Sequence, residues 1–207
     1  MLKKIAYVAF FVFMASGCAQ SEDHKEGVEY KRITDQPTES TDKVEVLEFF
    51  WYGCPHCYKF EPILSNWLKT KPSNVEFIRV PTVFRPEWKV HARAYYALKA
   101  MGLGEKYHIA LFDVLHKEKK SVYTEDQVTD FLVSQGVNEE DFKSAYAAFS
   151  VDGQVRKVLK KVKAYGLEGV PAMAVNGKYL VSAKEAGSYG NMRKIVDYLV
   201  KKEEAAK

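Results

Sequence analysis

In Glu48-Phe49-Phe50-Trp51-Tyr52-Gly53-Cys54-Pro55-His56-Cys57-Tyr58-Lys59-Phe60, an apolar, aromatic run stops at Gly53 and passes straight into two cysteines separated by two residues. The run reads as a buried strand. Beyond it, Phe60, Ile63, Leu64, Trp67 and Leu68 recur at three- and four-residue intervals, the period of an amphipathic helix. A strand that ends in Cys-x-x-Cys at the start of a helix is the layout of a dithiol/disulfide redox centre. The first helical turn has backbone N–H groups without intrahelical partners, so a sulfur placed there is stabilised as the thiolate. Pro55 suits the first helical position, where its missing N–H costs nothing and its fixed φ is already helical.

Working outward, the chain has 207 residues, which suits one domain or one domain carrying a large insertion. Its 47% hydrophobic and 14% aromatic residues are an ordinary globular composition. Lys3 and Lys4 precede an uninterrupted apolar run from Ile5 to Met14, too short to span a bilayer and typical of a secretory leader. The net charge of +4 becomes +2 when those two lysines leave with the leader. With Lys and Glu interspersed rather than clustered, this excludes a nucleic-acid footprint. The leader ends in Ala15-Ser16-Gly17-Cys18, which resembles the lipobox of bacterial lipoproteins and makes Cys18 a candidate lipid attachment point. The alternative is ordinary cleavage after Ala19, which would discard Cys18. Either route delivers the mature chain to an oxidising compartment, where disulfides persist.

Of the three cysteines, Cys54 and Cys57 are then the two that remain in the domain itself. Closing a loop of two intervening residues removes little entropy from the unfolded chain, so the pair serves chemistry rather than stability. Zinc or copper would need further ligands, and no second Cys or His pair stands at metal-like spacing; no metal and no cofactor is expected. Tyr58 rather than His follows Cys57, which excludes c-type haem attachment. His91, His108 and His116 fall on predicted helices and read as packing or surface residues.

The chain divides accordingly: a leader over 1–17, a polar tether over 18–41, an α/β part over 42–86, a helical insertion over 87–150 and a second α/β part over 151–207. Within the tether Tyr30 to Ile33 suggests a short edge strand. Val44 to Trp51 is a strand apolar on both faces except for Glu45 and Glu48, as in a sheet covered by helices. Pro62 should kink the helix that follows the cysteines. Val75 to Val80 is a second strand. Two helical stripes then run from His91 to Met101 and from Tyr107 to Leu115. Thr124 with Gln127 forms a capping box for a helix closed by Gly136. Asn138 caps another, which should carry Phe142, Ala145, Tyr146 and Phe149, and Val155 to Tyr165 line a third. Ala172 to Val175 and Lys178 to Val181 flank Asn176-Gly177, the signal for a two-residue hairpin turn. A last helix carries Met192, Ile195, Val196 and Leu199.

Phe49-Phe50 leading to Cys54-Pro55-His56-Cys57-Tyr58, with Gly169-Val170-Pro171-Ala172 and Val175-Asn176-Gly177-Lys178-Tyr179 more than a hundred residues on, closely resembles the DsbA family of bacterial periplasmic thiol:disulfide oxidoreductases. The resemblance runs from about Gly27 to about Tyr198. It implies an α/β thioredoxin fold with an inserted all-helical domain. It also implies a cis Val170-Pro171 peptide facing the disulfide and bordering the substrate. Cys54 and Cys57 would carry the exchange, with Pro55, His56 and Glu48 assisting. Reduced exported proteins would be the substrates and a DsbB-type membrane quinone reductase the reoxidising partner. A monomer is expected. The second strand offers no lysine to pair with Glu48; Phe77, Ile78 and Arg79 occupy that stretch, and the partner of the acid stays open. A helix terminus supplies ~0.3–1 kcal/mol, up to ~2 when partly buried. Each pKa unit requires about 1.4 kcal/mol, so the dipole alone lowers Cys54 by roughly one unit. Backbone N–H donors and the His56 imidazole must supply the rest. Two other functions fit the same residues: a reductase or isomerase of this fold, and a periplasmic chaperone in which the cysteines are incidental. Secreted isomerases of this fold usually bring a dimerisation domain, for which the stretch from Gln20 to Thr41 leaves no room.

Overall fold

A computed structural model describes residues 23–39 and 42–206; the leader and Cys18 lie outside them. In chain order the elements are β1 (Lys31–Arg32), β2 (Val44–Phe50), α1 (Pro55–Thr70), β3 (Val75–Pro81), a 3-10 turn (Pro86–Trp88) and α2 (Lys89–Ala100). There follow α3 (Gly104–His116), α4 (Glu125–Ser134), α5 (Glu139–Ala147) and α6 (Phe149–Ala164), then β4 (Ala172–Val175), β5 (Tyr179–Ser182), α7 (Ala183–Ala186) and α8 (Tyr189–Ala205). The five strands form one sheet in the order β1-β5-β4-β2-β3. β2 and β3 are parallel, and the other neighbours are antiparallel. Among the described residues no helix is long and apolar enough to cross a membrane.

All seven residues of β2 are buried because helices cover both faces of the sheet. Side chains alternate along a strand. Val44 and Val46 therefore join a core with Phe60, Leu64 and Trp67 of α1 and with Ile195, Val196 and Leu199 of α8. Leu47 and Phe49 point the other way, against Val155 and Val158 of α6. The third core lies within the helical block, where Leu98, Leu111, Phe112, Leu132 and Phe142 pack together and reach Phe50, Tyr52 and both cysteines. The redox site thus sits where the end of β2 meets the inserted helices.

Local signals place the elements well. The Thr124 hydroxyl accepts from the Gln127 N–H while the Gln127 side chain accepts from the Thr124 N–H, completing the capping box. Asn138 accepts from the N–H of Asp141. At the hairpin, Asn176 (φ 51°) and Gly177 (φ 66°) both take the left-handed conformation that a type I′ turn requires. Gly177 has a second constraint: a Cβ there would lie 2.2 Å from the carbonyl oxygen of Gln36. That oxygen belongs to the stretch read as a tether, which is docked from Tyr30 onward. Tyr30 is buried, β1 pairs with β5, and the N–H groups of Ile33 and Gln36 donate to the carbonyls of Lys178 and Gly177.

Helix α1 contains Pro62, as the sequence reads, and continues to Thr70. Elsewhere the structure departs from expectation. Phe149 does not belong to the helix capped by Asn138: that helix ends at Ala147, and Phe149 opens α6 with 81% of its surface exposed. Leu159, placed on the buried stripe of α6, is 39% exposed. Periodicity places residues on a face but cannot say where the backbone turns between adjacent helices.

Candidate active site

Cys54 occupies the cap position of α1, with extended backbone (φ −89°, ψ 115°), and Pro55 opens the helix. The preceding turn is tight. Gly53 lies under the Trp51 ring, where a Cβ would approach within 2.3 Å, and the Trp51 indole stacks on Trp88 at 3.9 Å between centroids. Cys54 is nearly buried and Cys57 fully so, and both are free thiols. Opposite them the Val170–Pro171 peptide is cis. The Cys54 thiol lies 3.5 Å from the Val170 carbonyl oxygen, to which it donates when protonated. His56 is exposed and shares a 2.9 Å hydrogen bond between its Nδ1 and the Tyr189 hydroxyl at the start of α8.

The two sulfurs titrate in opposite directions. Cys54 falls from the ordinary 9.0 to about 6, chiefly because the Cys57 S–H donates to its sulfur. Burial opposes the fall, while the backbone N–H groups of Cys57 and His56 add to it, and the His56 charge contributes last. Cys57 is pushed well above 9.0 by burial and by the neighbouring sulfur. The main donor is therefore the second cysteine of the motif, ahead of the backbone and imidazole groups expected from sequence. Ultraviolet thiolate absorbance of the reduced protein should give a midpoint near 6. In Cys57→Ala, which lacks the S–H donor, that midpoint should climb by about one unit or more, and in His56→Ala by less. A midpoint still near 6 in Cys57→Ala would contradict this assignment.

Beneath the cysteines, Glu48 of β2 is fully buried. Its partner is Arg79, its register neighbour on the parallel strand β3, with Nε 3.2 Å from Glu48 Oε2. The pair lacks hydrogen-bond alignment, so proximity rather than a directed bond holds it. The guanidinium also lies 3.7 Å from Glu61 Oε2 on α1 and donates to both oxygens of Glu105 on α3, at 2.8 and 2.9 Å. Glu61 meets His108 Nε2 at 3.1 Å, and His108 Nδ1 meets the Tyr52 hydroxyl at 3.0 Å. Three carboxyl groups share one guanidinium, while burial pushes His108 down, towards its neutral form. Burial, then the Glu61 charge, pushes the Glu48 carboxyl well above its ordinary value against the pull of Arg79. Of the three carboxyl groups, Glu48 is the one that burial pushes towards its protonated form.

Sequence reasoning placed Cys54, Pro55, His56, Cys57, Val170, Pro171 and Glu48 at one site, and the fold brings the strand end, the helix start and the cis-proline loop together. It missed Arg79, Glu61, His108, Tyr52 and Tyr189. Two signals were present: Glu61 lies two helical turns from Cys54, and Arg79 is a cation in an otherwise apolar strand. Beside Cys54 a groove of about 930 Å³ opens between the cis-proline loop and the start of α8, bordered by His56, Leu167, Val170, Pro171, Ser188 and Tyr189.

Comparison with known proteins agrees with this geometry. The family described as DSBA-like thioredoxin domain matches residues 45–189. The thiol:disulfide interchange protein DsbA of Pseudomonas aeruginosa PAO1 is 42% identical over 189 residues, covering 91% of this chain and 90% of that one. The protein of the same name from Burkholderia cepacia is 38% identical over 97% of both. The crystal structure of Pseudomonas aeruginosa DsbA superposes with a TM-score of 0.85 at 41% identity, covering 90% of this chain and 97% of that one. With the paired sulfurs at the helix start, the cis-proline carbonyl against them and the helical block inserted in the sheet, the chain belongs to the DsbA-like thioredoxin family and is a thiol:disulfide oxidoreductase.

Proposed function

We propose that the enzyme works in the oxidising direction, giving its disulfide to reduced proteins exported to the periplasm. The observation that carries this reading is the split between the two sulfurs, with Cys54 lowered to about 6 and Cys57 raised well above 9.0. Stabilising one thiolate of the reduced pair makes the reduced enzyme the favoured product, so electrons flow from client to enzyme; DsbA proteins are themselves a standard illustration of that rule.

In the oxidised enzyme a client thiolate attacks Cys54 Sγ in line. The Cys54–Cys57 bond breaks, a client–Cys54 mixed disulfide forms, and Cys57 leaves as a thiolate. Its high proton affinity draws a proton, and the buried Glu48 carboxyl, whose charge acts on Cys57, is the donor in this reading. A second client thiolate then attacks the client sulfur of the mixed disulfide, closing the client's bridge and expelling Cys54, a good leaving group because of its low pKa. Two electrons and the equivalent of two protons pass from client to enzyme. The Val170 carbonyl and Pro171 border the attacked sulfur, and the groove they share with His56 and Tyr189 receives the client's backbone. A DsbB-type membrane quinone reductase takes the electrons onward. The enzyme acts as a monomer, and Cys18, exposed by leader removal, carries a lipid anchor; the intact mass of the mature N-terminus tests that point.

Equilibration with glutathione tests the direction. The potential should lie well above that of thioredoxin, about −270 mV, on a scale where DsbA proteins are a usual reference point. A value at thioredoxin's level would favour the reductase reading.

A further inference from the structure

A second cavity, of about 340 Å³, lies between residues 36–39, β3, α2 and α6, and shares no lining residue with the groove beside Cys54. We propose that it is a binding site for a small organic anion with an apolar or aromatic body. Four lysines border it: Lys99 of α2 and Lys157, Lys160 and Lys161 of α6. Among the described residues Glu39 is the one acid in the lining, and Lys161 donates to it at 3.0 Å. Lys99, Lys157 and Lys160 have no ion-pair partner among the described residues, which leaves the cavity with surplus positive charge. The Lys161 hydrogen bond, against burial and with the charges of Lys161, Lys99 and Lys157, holds Glu39 below its ordinary value.

The interior supplies the other half of the recognition. Ile78, Val80 and Val158 line it with the rings of Tyr96 and Tyr165. Tyr165 is only 2% exposed, yet its hydroxyl has no hydrogen-bond partner among the described residues. A buried donor left unpaired is costly, and an acceptor entering the cavity would satisfy it. The nearby Glu45 carboxyl is pushed up by burial, towards the neutral form that would not repel an anion. Apolar walls with a few convergent polar groups are the usual make-up of a small-molecule site, and this volume suits a ligand of one or two rings. The head group is a carboxylate, sulfonate or phosphate.

The test is a titration of the isotope-labelled protein with 2-naphthoate, followed by amide NMR, with the neutral 2-naphthamide as control. Naphthoate should give saturable shifts at Lys99, across Lys157 to Tyr165 and at Gln36 to Glu39, and naphthamide should bind at least tenfold more weakly. The double variant Lys157→Glu/Lys160→Glu alters exposed side chains only. It should lose tenfold or more in naphthoate affinity while oxidising a reduced peptide at the parent rate. Tyr165→Phe should lose roughly two- to tenfold, the worth of one hydrogen bond. Equal binding of acid and amide, unchanged affinity in the double variant, or shifts confined to the groove beside Cys54 would each overturn the proposal. So would charge-dependent binding seen with phosphatidylglycerol vesicles alone, which would make the lysines a membrane-facing surface instead.

Discussion

Replacing Cys54 by serine should abolish oxidation of a reduced client completely, leaving only the uncatalysed background. The loss is total rather than fractional because a hydroxyl cannot enter a disulfide: the variant has no bridge to give. The partner variant, Cys57→Ser, should fail differently. Cys54 keeps its place at the start of α1, where the backbone N–H groups of Cys57 and His56 still help to lower its pKa. It should therefore still exchange into a preformed mixed disulfide, and that adduct should persist because no internal thiol is left to displace it. Peptide oxidation followed by fluorescence, with mass spectrometry of the adduct, distinguishes the two. Parent-rate oxidation by Cys54→Ser would end the enzymatic reading and favour a chaperone.

The same sulfur makes the stability of the reduced protein depend on pH, and the sign is fixed. The folded-state pKa of about 6 lies below the ordinary 9.0 of a thiol in the unfolded chain. The stabilisation is therefore complete above about 9 and is lost as pH falls through 6. Cys57, raised instead, opposes it above about 9, so the gain shows between pH 6 and 9. Near pH 7 it amounts to roughly 1 kcal/mol, after allowance for the solvent that still screens Cys54. Denaturant unfolding of the reduced and oxidised forms across that range should show the reduced form gaining on the oxidised form as pH rises.

The second large effect is expected at Arg79. Removing one partner of a buried ion pair leaves the other charge uncompensated and typically costs about 3–5 kcal/mol. Arg79→Met keeps the length of the side chain but strips Glu48, Glu61 and Glu105 of their shared cation. Glu105 is mostly exposed and can turn to water, whereas Glu48 and Glu61 cannot. A loss at the lower end of that range, about 3 kcal/mol, is expected because burial already pushes the Glu48 carboxyl up, towards its protonated form. In a chain of this length that corresponds to roughly 6–12 °C in Tm. The deficit should shrink as pH falls and the Glu48 carboxyl, pushed up by burial, takes its proton. Glu48→Gln in the same chain should restore part of it. A change of under about 1 kcal/mol would show that the cluster is held by something other than Arg79.

Much of this molecule was legible without coordinates because its signals are local. A capping box, a Gly after a helix, an Asn-Gly turn and a proline at the first helical position each specify backbone dihedrals within a few residues. Thr124, Gly136, Asn138, Asn176 and Gly177 stand in the structure as their chemistry requires. The boundary between α5 and α6 was less legible, because Phe149 fits the period of either helix and only packing exposes it.

Sequence by itself determined that a sulfur pair sits at the start of a helix after a buried strand, that the pair serves chemistry rather than stability, and that a helical block interrupts the α/β part. Tertiary structure alone decided who stands beside those sulfurs. The parallel register of β2 and β3 puts Arg79 next to Glu48, α1 brings Glu61 to the same guanidinium, and α8 presents Tyr189 to His56. The reason is range. Dihedral preference and periodicity are written within a few neighbouring residues, whereas the partner of a buried charge depends on which strands align and in what register, and those contacts span from tens of residues to more than a hundred.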